Sequence, residues 1–534
     1  MKEKHILRFV SISILLAFTL VYGCKKHDLS KIAGMSMNQN AAVPIGYGDF
    51  DIHDLFKNID DKVVMNPLGE MSLVYLSQLD TIKADEIIQL ADVSQIMDFV
   101  PPTLGVAATG SFGGVLSSTI VKNFDYAIPG GVELHTVNFQ SGAIVLALST
   151  TLQHDITFQI TMTDMLSSST PIVRTLNVAY TGTVPQIASV TVPLTDVLAD
   201  FTAGGTTVNR LRVSVDATIT GTGQPIVGDE SLDLTMSLNT MKYANIIGYF
   251  GSEVLSDITD SILVKIFENP IGSITFLNPK LTFTVDNSFG VPVDINFTNF
   301  SAINSVTGAS VPLAGFPPVL SLNVPTIMGS IASTSIEFNS TNTTNITTIV
   351  DAVPKYVKFT VGATTNPGGS VPPLNFIEST SMMVMKSRLE LPLDGYASGI
   401  SASDTSDFSL GQNTNNIESI MFRLYTNNGF PIDFTGQATF VDANYLPIFS
   451  LFPTPEKIVS AASVDGAGKV SSPTSKTTDI IMDSEKIPLL ANAKYVIISG
   501  FAGTTLPLNT EVIFYDSYRI AIKLGMQVQL KGNL

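Results

Sequence analysis

Side chains able to do chemistry are scarce in this 534-residue chain, which has five histidines, one cysteine and no tryptophan. A zinc site needs several imidazole or thiolate ligands at short, defined spacings. His27, His53, His135 and His154 form no H-x-x-x-H pair, so neither a metal nor a cofactor is expected. His154 beside Asp155 has the composition of an acid–base pair. Val293 and Ile432 replace the histidine in two later copies of the segment, so a structural role where a strand starts is the expectation. Asp49-Phe-Asp51-Ile-His-Asp54 spaces three carboxylates but lacks the glycine and distal glutamate of an EF-hand loop. An acidic turn or helix start is expected there. No G-x-S-x-G elbow, Walker loop or G-x-G-x-x-G fingerprint falls where its chemistry would need it. Two carboxylates suffice for a glycosidase, and 46 Asp and Glu offer many pairs. A glycan-active hydrolase therefore stands only as a third reading.

Some carboxylates recur. Asp155, Asp294 and Asp433 lie 139 residues apart, twice. Eleven residues before them stand Ile144, Phe283 and Phe422; nine before, Leu146, Val285 and Leu424. The run Phe283–Asp294 parallels Phe422–Asp433, including Gly290 with Pro292 and Gly429 with Pro431. The Asn and Gly residues are expected to supply positive φ in the turn, and the prolines to restrict the start of the next strand. Each aspartate is expected to accept backbone hydrogen bonds in an adjoining turn. Lys355-Tyr-Val357 recurs as Lys494-Tyr-Val496, again 139 residues on.

Gly248-Tyr249 and Gly395-Tyr396 read as boundaries. They divide the chain into an N-terminal extension plus a first unit (44–248), a second (249–395) and a third (396–534). In the extension, Asn66-Pro-Leu-Gly69 reads as a turn leading into Met71–Leu76. Leu281–Val285, Leu211–Val215 and Val357–Val361 alternate apolar and polar residues, as half-buried antiparallel strands do. Lys83–Val100 and Ser252–Phe267 are the helical candidates. The expected fold is mainly β, with three tandem β-sandwich-like units and a few short helices. The alternative is an elongated tube of pooled strands, as in lipid-transfer proteins.

Lys2, Lys4 and Arg8 precede the uncharged apolar run Phe9–Val21, a secretory pattern too short for a comfortable membrane span. Val21-Tyr-Gly23-Cys24 resembles the lipobox of bacterial lipoproteins. The resemblance implies a signal peptide over 1–23, a lipid on Cys24, a tether over 24–43 and attachment to the outer membrane. Lys25-Lys-His-Asp28 resembles the charged segment of surface lipoproteins of Bacteroidota, so the surface face is preferred to the periplasmic one. A lone cysteine also excludes an intrachain disulfide framework.

From Cys24 onward, 26 Lys and Arg stand against 45 Asp and Glu, a formal charge of −19. With no basic run, nucleic-acid binding is not expected. Phe276–Phe297 resembles the water-stress-type sandwich domain of late-embryogenesis-abundant proteins. The whole chain resembles uncharacterised outer-membrane lipoproteins of Bacteroidota, a group that supplies no activity. Asp80-Thr81-Ile82 and Asp260-Ser261-Ile262 resemble the O-glycosylation acceptor of that phylum, which implies sugars on Thr81 and Ser261. The expected function is a non-enzymatic lipoprotein presenting its β domains to a protein or surface ligand. A carrier of lipid or another hydrophobic ligand is the alternative.

Overall fold

Alternation along the chain sets the strands. In Lys280–Asn287 every second residue (Leu281, Phe283, Val285, Asn287) is buried, and the residues between them are half-exposed, the period-two pattern of a strand with one face on a core. The computed structural model describes residues 40–55, 62–99, 108–205, 207–267, 272–342, 345–408, 417–504 and 510–530. The expected signal peptide (1–23), Cys24 and most of the expected tether (24–43) lie outside these residues. The protein is mainly β, with many antiparallel sheets. Its described helices are short: Ile52–Leu55, Ala84–Ile87, Ile346–Asp351, Ile487–Leu490 and a 3₁₀ turn at Lys265–Phe267.

One arrangement of paired strands occurs three times. In the second unit, one sheet runs Ala332–Phe338, Lys280–Asn287, Met382–Pro392, Met71–Lys83, with Val63–Met65 beyond. The other runs Val254–Leu263, Pro354–Thr365, Val293–Asn304, flanked by Ser310–Pro312 and Val319–Ser321. In the third unit, Thr474–Asp483, Ile417–Asn428, Ile520–Leu530 and Asn40–Phe50 form the first sheet. Ile400–Asp407, Tyr495–Thr504 and Ile432–Val441 form the second, with Pro447–Ser450 and Glu456–Val459 on its edge.

The first unit repeats the scheme. Gln186–Pro193, Glu133–Thr150, Leu232–Tyr249 and Val93–Asp98 pair in that order, as do Val115–Asp125, Arg210–Thr220, Asp155–Ser167 and Thr170–Val178. Here Val197–Asp200 pairs with both Glu133–Thr150 and Asp155–Ser167, joining the two sheets into one.

The N-terminal segment lays a strand beside a late strand of every unit, and adds the short Val63–Met65 strand on Met71–Lys83 in the second. Asn40–Phe50 lies on Ile520–Leu530, Met71–Lys83 on Met382–Pro392, and Val93–Asp98 on Leu232–Tyr249. This strap therefore visits the third, second and first units in turn. The Asn66-Pro-Leu-Gly69 turn forms as the sequence suggests: Asn66 Oδ1 accepts the Leu68 and Glu70 N–H groups, and Gly69 has φ of +83°.

Neighbouring units are stitched together. Asn375–Glu378 leaves the second unit to pair with Leu232–Tyr249 of the first. Beside it, buried Asn366 donates through Nδ2 to Gly251 O at 2.7 Å and to Asn375 Oδ1 at 2.9 Å. Ser273–Phe276, Asp394–Ser398 and Val512–Ile513 form a small sheet between the second and third units. The main hydrophobic cluster runs through the first and second units into the third. In the second unit the space between the sheets is filled by aromatic rings. Phe283 has Phe297 and Phe359 at 4.9 Å, Phe300 at 5.8 Å and Phe338 at 6.0 Å between centroids, in tilted and edge-on contacts that favour packing.

Both long helical candidates are overturned. Ser252–Phe267 is the strand Val254–Leu263 followed by the 3₁₀ turn. A bulge between Leu255 and Ile258 puts two inward residues three positions apart, which mimics helical spacing. Lys83–Val100 holds one helical turn, Ala84–Ile87, and then the strap strand Val93–Asp98. Pairing with Leu232–Tyr249 overrides local propensity there.

Candidate functional site

The most regular local chemistry lies at the turn after each unit's long inner strand. Thr150, Asn287 and Asn428 each end that strand, and all three are buried. Each accepts the N–H two residues on: Leu152 to Thr150 Oγ1 at 3.0 Å, Phe289 to Asn287 Oδ1 and Phe430 to Asn428 Oδ1, both at 2.9 Å. Asn428 Nδ2 also donates to the carbonyls of Phe430, Ile432 and Ser460. This is side-chain capping of a turn. The 139-residue spacing aligns Asn287 with Thr426, whereas the structure makes Asn428 its equivalent, because the second unit has two extra residues before Asp294.

The repeated aspartates differ in what they do. Asp155 Oδ1 accepts the Tyr180 N–H at 2.7 Å. Asp433 pairs with Lys457 at 2.6 Å. Asp294 stands opposite Ser321 and Thr364 on its two neighbouring strands. Only the first of the three shows the backbone acceptance expected of all.

Positive φ does not explain Gly290 or Gly429, nor the capping asparagines. Both glycines answer a close approach instead. A Cβ on Gly290 would lie 2.3 Å from the Phe376 ring, and one on Gly429 2.8 Å from the Arg519 carbonyl oxygen. Pro292, beyond Gly290, offers its carbonyl to the Asn366 N–H at 2.8 Å. Pro431 immediately precedes the strand Ile432–Val441.

His154 has no exposed surface. Its Nδ1 accepts the Thr222 N–H at 3.3 Å, lies 3.2 Å from Thr222 Oγ1, and its ring meets Phe112 edge-on. The neutral ring must then carry its proton on Nε2, and that buried atom has no hydrogen-bond partner. Burial pulls the imidazole below its ordinary range, against the pull of Glu230 and Asp155. A buried neutral histidine capping a turn suits structure, and nothing brings Asp155 to it as a catalytic partner.

Asp51 opens the Ile52–Leu55 turn, accepting the His53 and Asp54 N–H groups on Oδ1. Arg519 lies 3.8 Å from Asp51, and His53 Nε2 lies 3.4 Å from Asp516. Among the described residues, no group of three or more His, Cys, Asp or Glu is placed to hold a metal. Thr81 and Ser261 are half-buried in paired strands, opposite Val384 and Lys358 respectively. The two segments come together where Ser77 Oγ donates to Asp260 Oδ2 at 3.2 Å.

One pair escaped the sequence reading. Asp164 is buried in the first unit and bridged by Arg212, whose backbone N–H it also accepts at 2.7 Å. The side-chain hydrogen bond to Asp164 holds the guanidinium above its ordinary range.

No family model matches the chain, and no curated protein matches it. Solved structures give distant likenesses. One is a protein of Parabacteroides distasonis described as secreted: 12% identity, 53% of this chain and 83% of that chain covered, TM-score 0.30. Another is the Sulfolobus turreted icosahedral virus, at 11% identity over 79% of this chain and 92% of that one, TM-score 0.12. Among the described residues no helix is long and apolar enough to cross a membrane.

Proposed function

We propose that this chain is a non-enzymatic lipoprotein, anchored to the bacterial outer membrane through Cys24, that presents its three β units to a protein or surface ligand. The observation that carries the reading is the strap. Asn40, sixteen residues after the cysteine, begins a strand hydrogen-bonded into the third unit, and the same segment continues into the second and first. A lipid on Cys24 would thus hold all three units through one continuous segment. The lipobox-like Val21–Cys24 and the basic, apolar leader before it support the same address. The cell surface is the preferred face. The lipid-carrier alternative finds no support in the second unit, whose interior is occupied by phenylalanine rings.

The test is metabolic labelling with an alkyne fatty acid, followed by separation of inner and outer membranes. Wild-type protein should carry label and fractionate with the outer membrane, and Cys24→Ala should do neither. Unlabelled wild-type protein would sink the proposal. Protease treatment of intact cells then decides between the two faces.

A further inference from the structure

The third unit has one covered end and one open end. At the covered end Ile520 pairs with Phe50 and Asn428, Val512–Ile513 joins the small sheet shared with the second unit, and Asp516 N–H reaches Gly69 O. Ile432–Val441 leaves this end after the Asn428 turn, so Val441 and its partner Tyr495 lie at the opposite one. There too lie Asn40 with Gln529, Ile417 with Leu530, and Ser419 with Asp483. The strap therefore starts at the open end, and sixteen residues, 24–39, separate it from the lipobox-like segment. Whatever their conformation, they span no more than about 55 Å.

Two uncharged stretches meet at this end. Residues 443–450 and 487–493 contain no Asp, Glu, Lys or Arg. The first holds the tip of the hairpin between Ile432–Val441 and Pro447–Ser450, and the second holds the helical turn Ile487–Leu490. Lys486 Nζ, next to that turn, lies 5.6 Å over the Phe449 ring of the hairpin. Tyr445 is 56% exposed, Leu446 61% and Leu489 45%. Tyr445 has φ of +62°, a region that bulky residues rarely enter. Asp442 fixes it there, its Oδ1 accepting the Asn444 and Leu446 N–H groups at 2.8 and 2.9 Å. The Tyr445 ring stacks on Tyr495, nearly parallel, with centroids 4.9 Å apart. Backbone strain is thus spent on holding a broad ring and a leucine out at the tip. Tyrosine joins an apolar body to a hydroxyl, which suits the boundary between lipid headgroups and acyl chains. With no charge in either stretch, the largest cost of entering that boundary is missing.

We propose that the open end of the third unit seats on a phospholipid surface, with Tyr445, Leu446 and Leu489 entering the interface. The inference rests on the anchoring proposed above and adds a second contact to it. A lipid on Cys24 would keep this end within the span of residues 24–39 and raise its effective concentration at the bilayer. The chain is net acidic, so zwitterionic rather than anionic lipid is the fit.

The chain has no tryptophan, so Leu446→Trp supplies a single reporter. The chain from residue 24 is coupled through Cys24 to a maleimide lipid in phosphatidylcholine vesicles, made with or without brominated acyl chains. Leu446→Trp emission should shift to the blue and fall by about half in the brominated vesicles, and added salt should not reverse it. Val227→Trp, at a site 66% exposed in the first unit, should not be quenched. Adding Tyr445→Asp and Leu489→Asp to the reporter chain should lower its quenching to the Val227→Trp level. Both sites are exposed and aspartate tolerates positive φ, so the variant should fold, which a melting curve checks; the Val227→Trp comparison stands without it. Quenching that is absent at Leu446→Trp, equal at Val227→Trp, or retained in the folded aspartate variant overturns the inference. Chemical coupling holds the chain to the vesicle whether or not cells acylate Cys24, so this result is read apart from the labelling experiment.

Discussion

Asn40 lies opposite Gln529, and from there to the Phe50–Ile520 pair the strap runs antiparallel along the chain's final described strand. This pairing can be trapped covalently. Tyr47 and Lys523 are register partners and both exposed, and the only native cysteine is Cys24. In a Cys24→Ala background, Tyr47→Cys/Lys523→Cys should oxidise within one chain and raise stability by roughly 2–4 kcal/mol. Non-reducing gels and thermal melts read it. Only intermolecular products, or none, would contradict the pairing.

The turn caps should matter more than the aspartates that drew attention to them. Asn428→Ala removes four hydrogen bonds and leaves buried backbone groups unpaired, at a cost of about 2–3 kcal/mol. Asp294→Ala should stay within about 0.5 kcal/mol. Urea midpoints compare them, and reversal of that order would show that the aspartates anchor the turns.

The two glycines test close approach directly. Gly290→Ala drives a methyl group into the Phe376 ring, on the strand segment that joins the second unit to the first. A loss of about 1–3 kcal/mol is expected, with hydrogen-exchange protection reduced across residues 375–378 and 245–248. An unchanged exchange pattern would mean that the ring yields freely.

His154 makes a pH prediction. Its folded pKa lies below the unfolded value of 6.5, so the unfolded chain binds the proton first as pH falls. Its contribution is complete above about pH 6.5 and is lost progressively below it. His154→Phe should flatten that part of the stability profile relative to wild type in urea titrations between about pH 5 and 8. Parallel profiles would rule out the buried neutral ring.

Arg212→Met should cost about 3 kcal/mol, because it strands the buried Asp164 carboxylate. Thermal melts of Arg212→Met and of Arg212→Met/Asp164→Leu test this. The double variant should recover much of the loss, and failure to recover would locate the effect in packing instead.

Much of the fold was legible in the sequence because its signals are local. Alternation marked strands such as Lys280–Asn287, and the 139-residue spacing exposed a repeat that recurs as repeated strand pairing. What stayed hidden depends on distant partners. Nothing near Asn40 announces a partner at Gln529, and Val93–Asp98 looked helical until Leu232–Tyr249 paired with it. The bulge at Leu255–Ile258 counterfeited a helical period. The two-residue insertion before Asp294 concealed the match of Asn287 to Asn428. Of the candidate residues, His154 lies buried where its strand starts, while Gly290 and Gly429 were noticed for the wrong reason: a neighbouring ring and a neighbouring carbonyl, not φ. Asp164 and Arg212, 48 residues apart, carried no motif at all.

The strap also changes how tension would pass through the protein. Tandem domains joined end to end stand in series, so a pull on the outermost unit strains every core between it and the point held fixed. Here the segment leading from residue 40 reaches Val93–Asp98 in the first unit without passing through the main chain of the other two. A pull applied between residue 40 and Val93–Asp98 would load this one backbone, whose strands are hydrogen-bonded along ladders in each unit and would have to slide along them to come away.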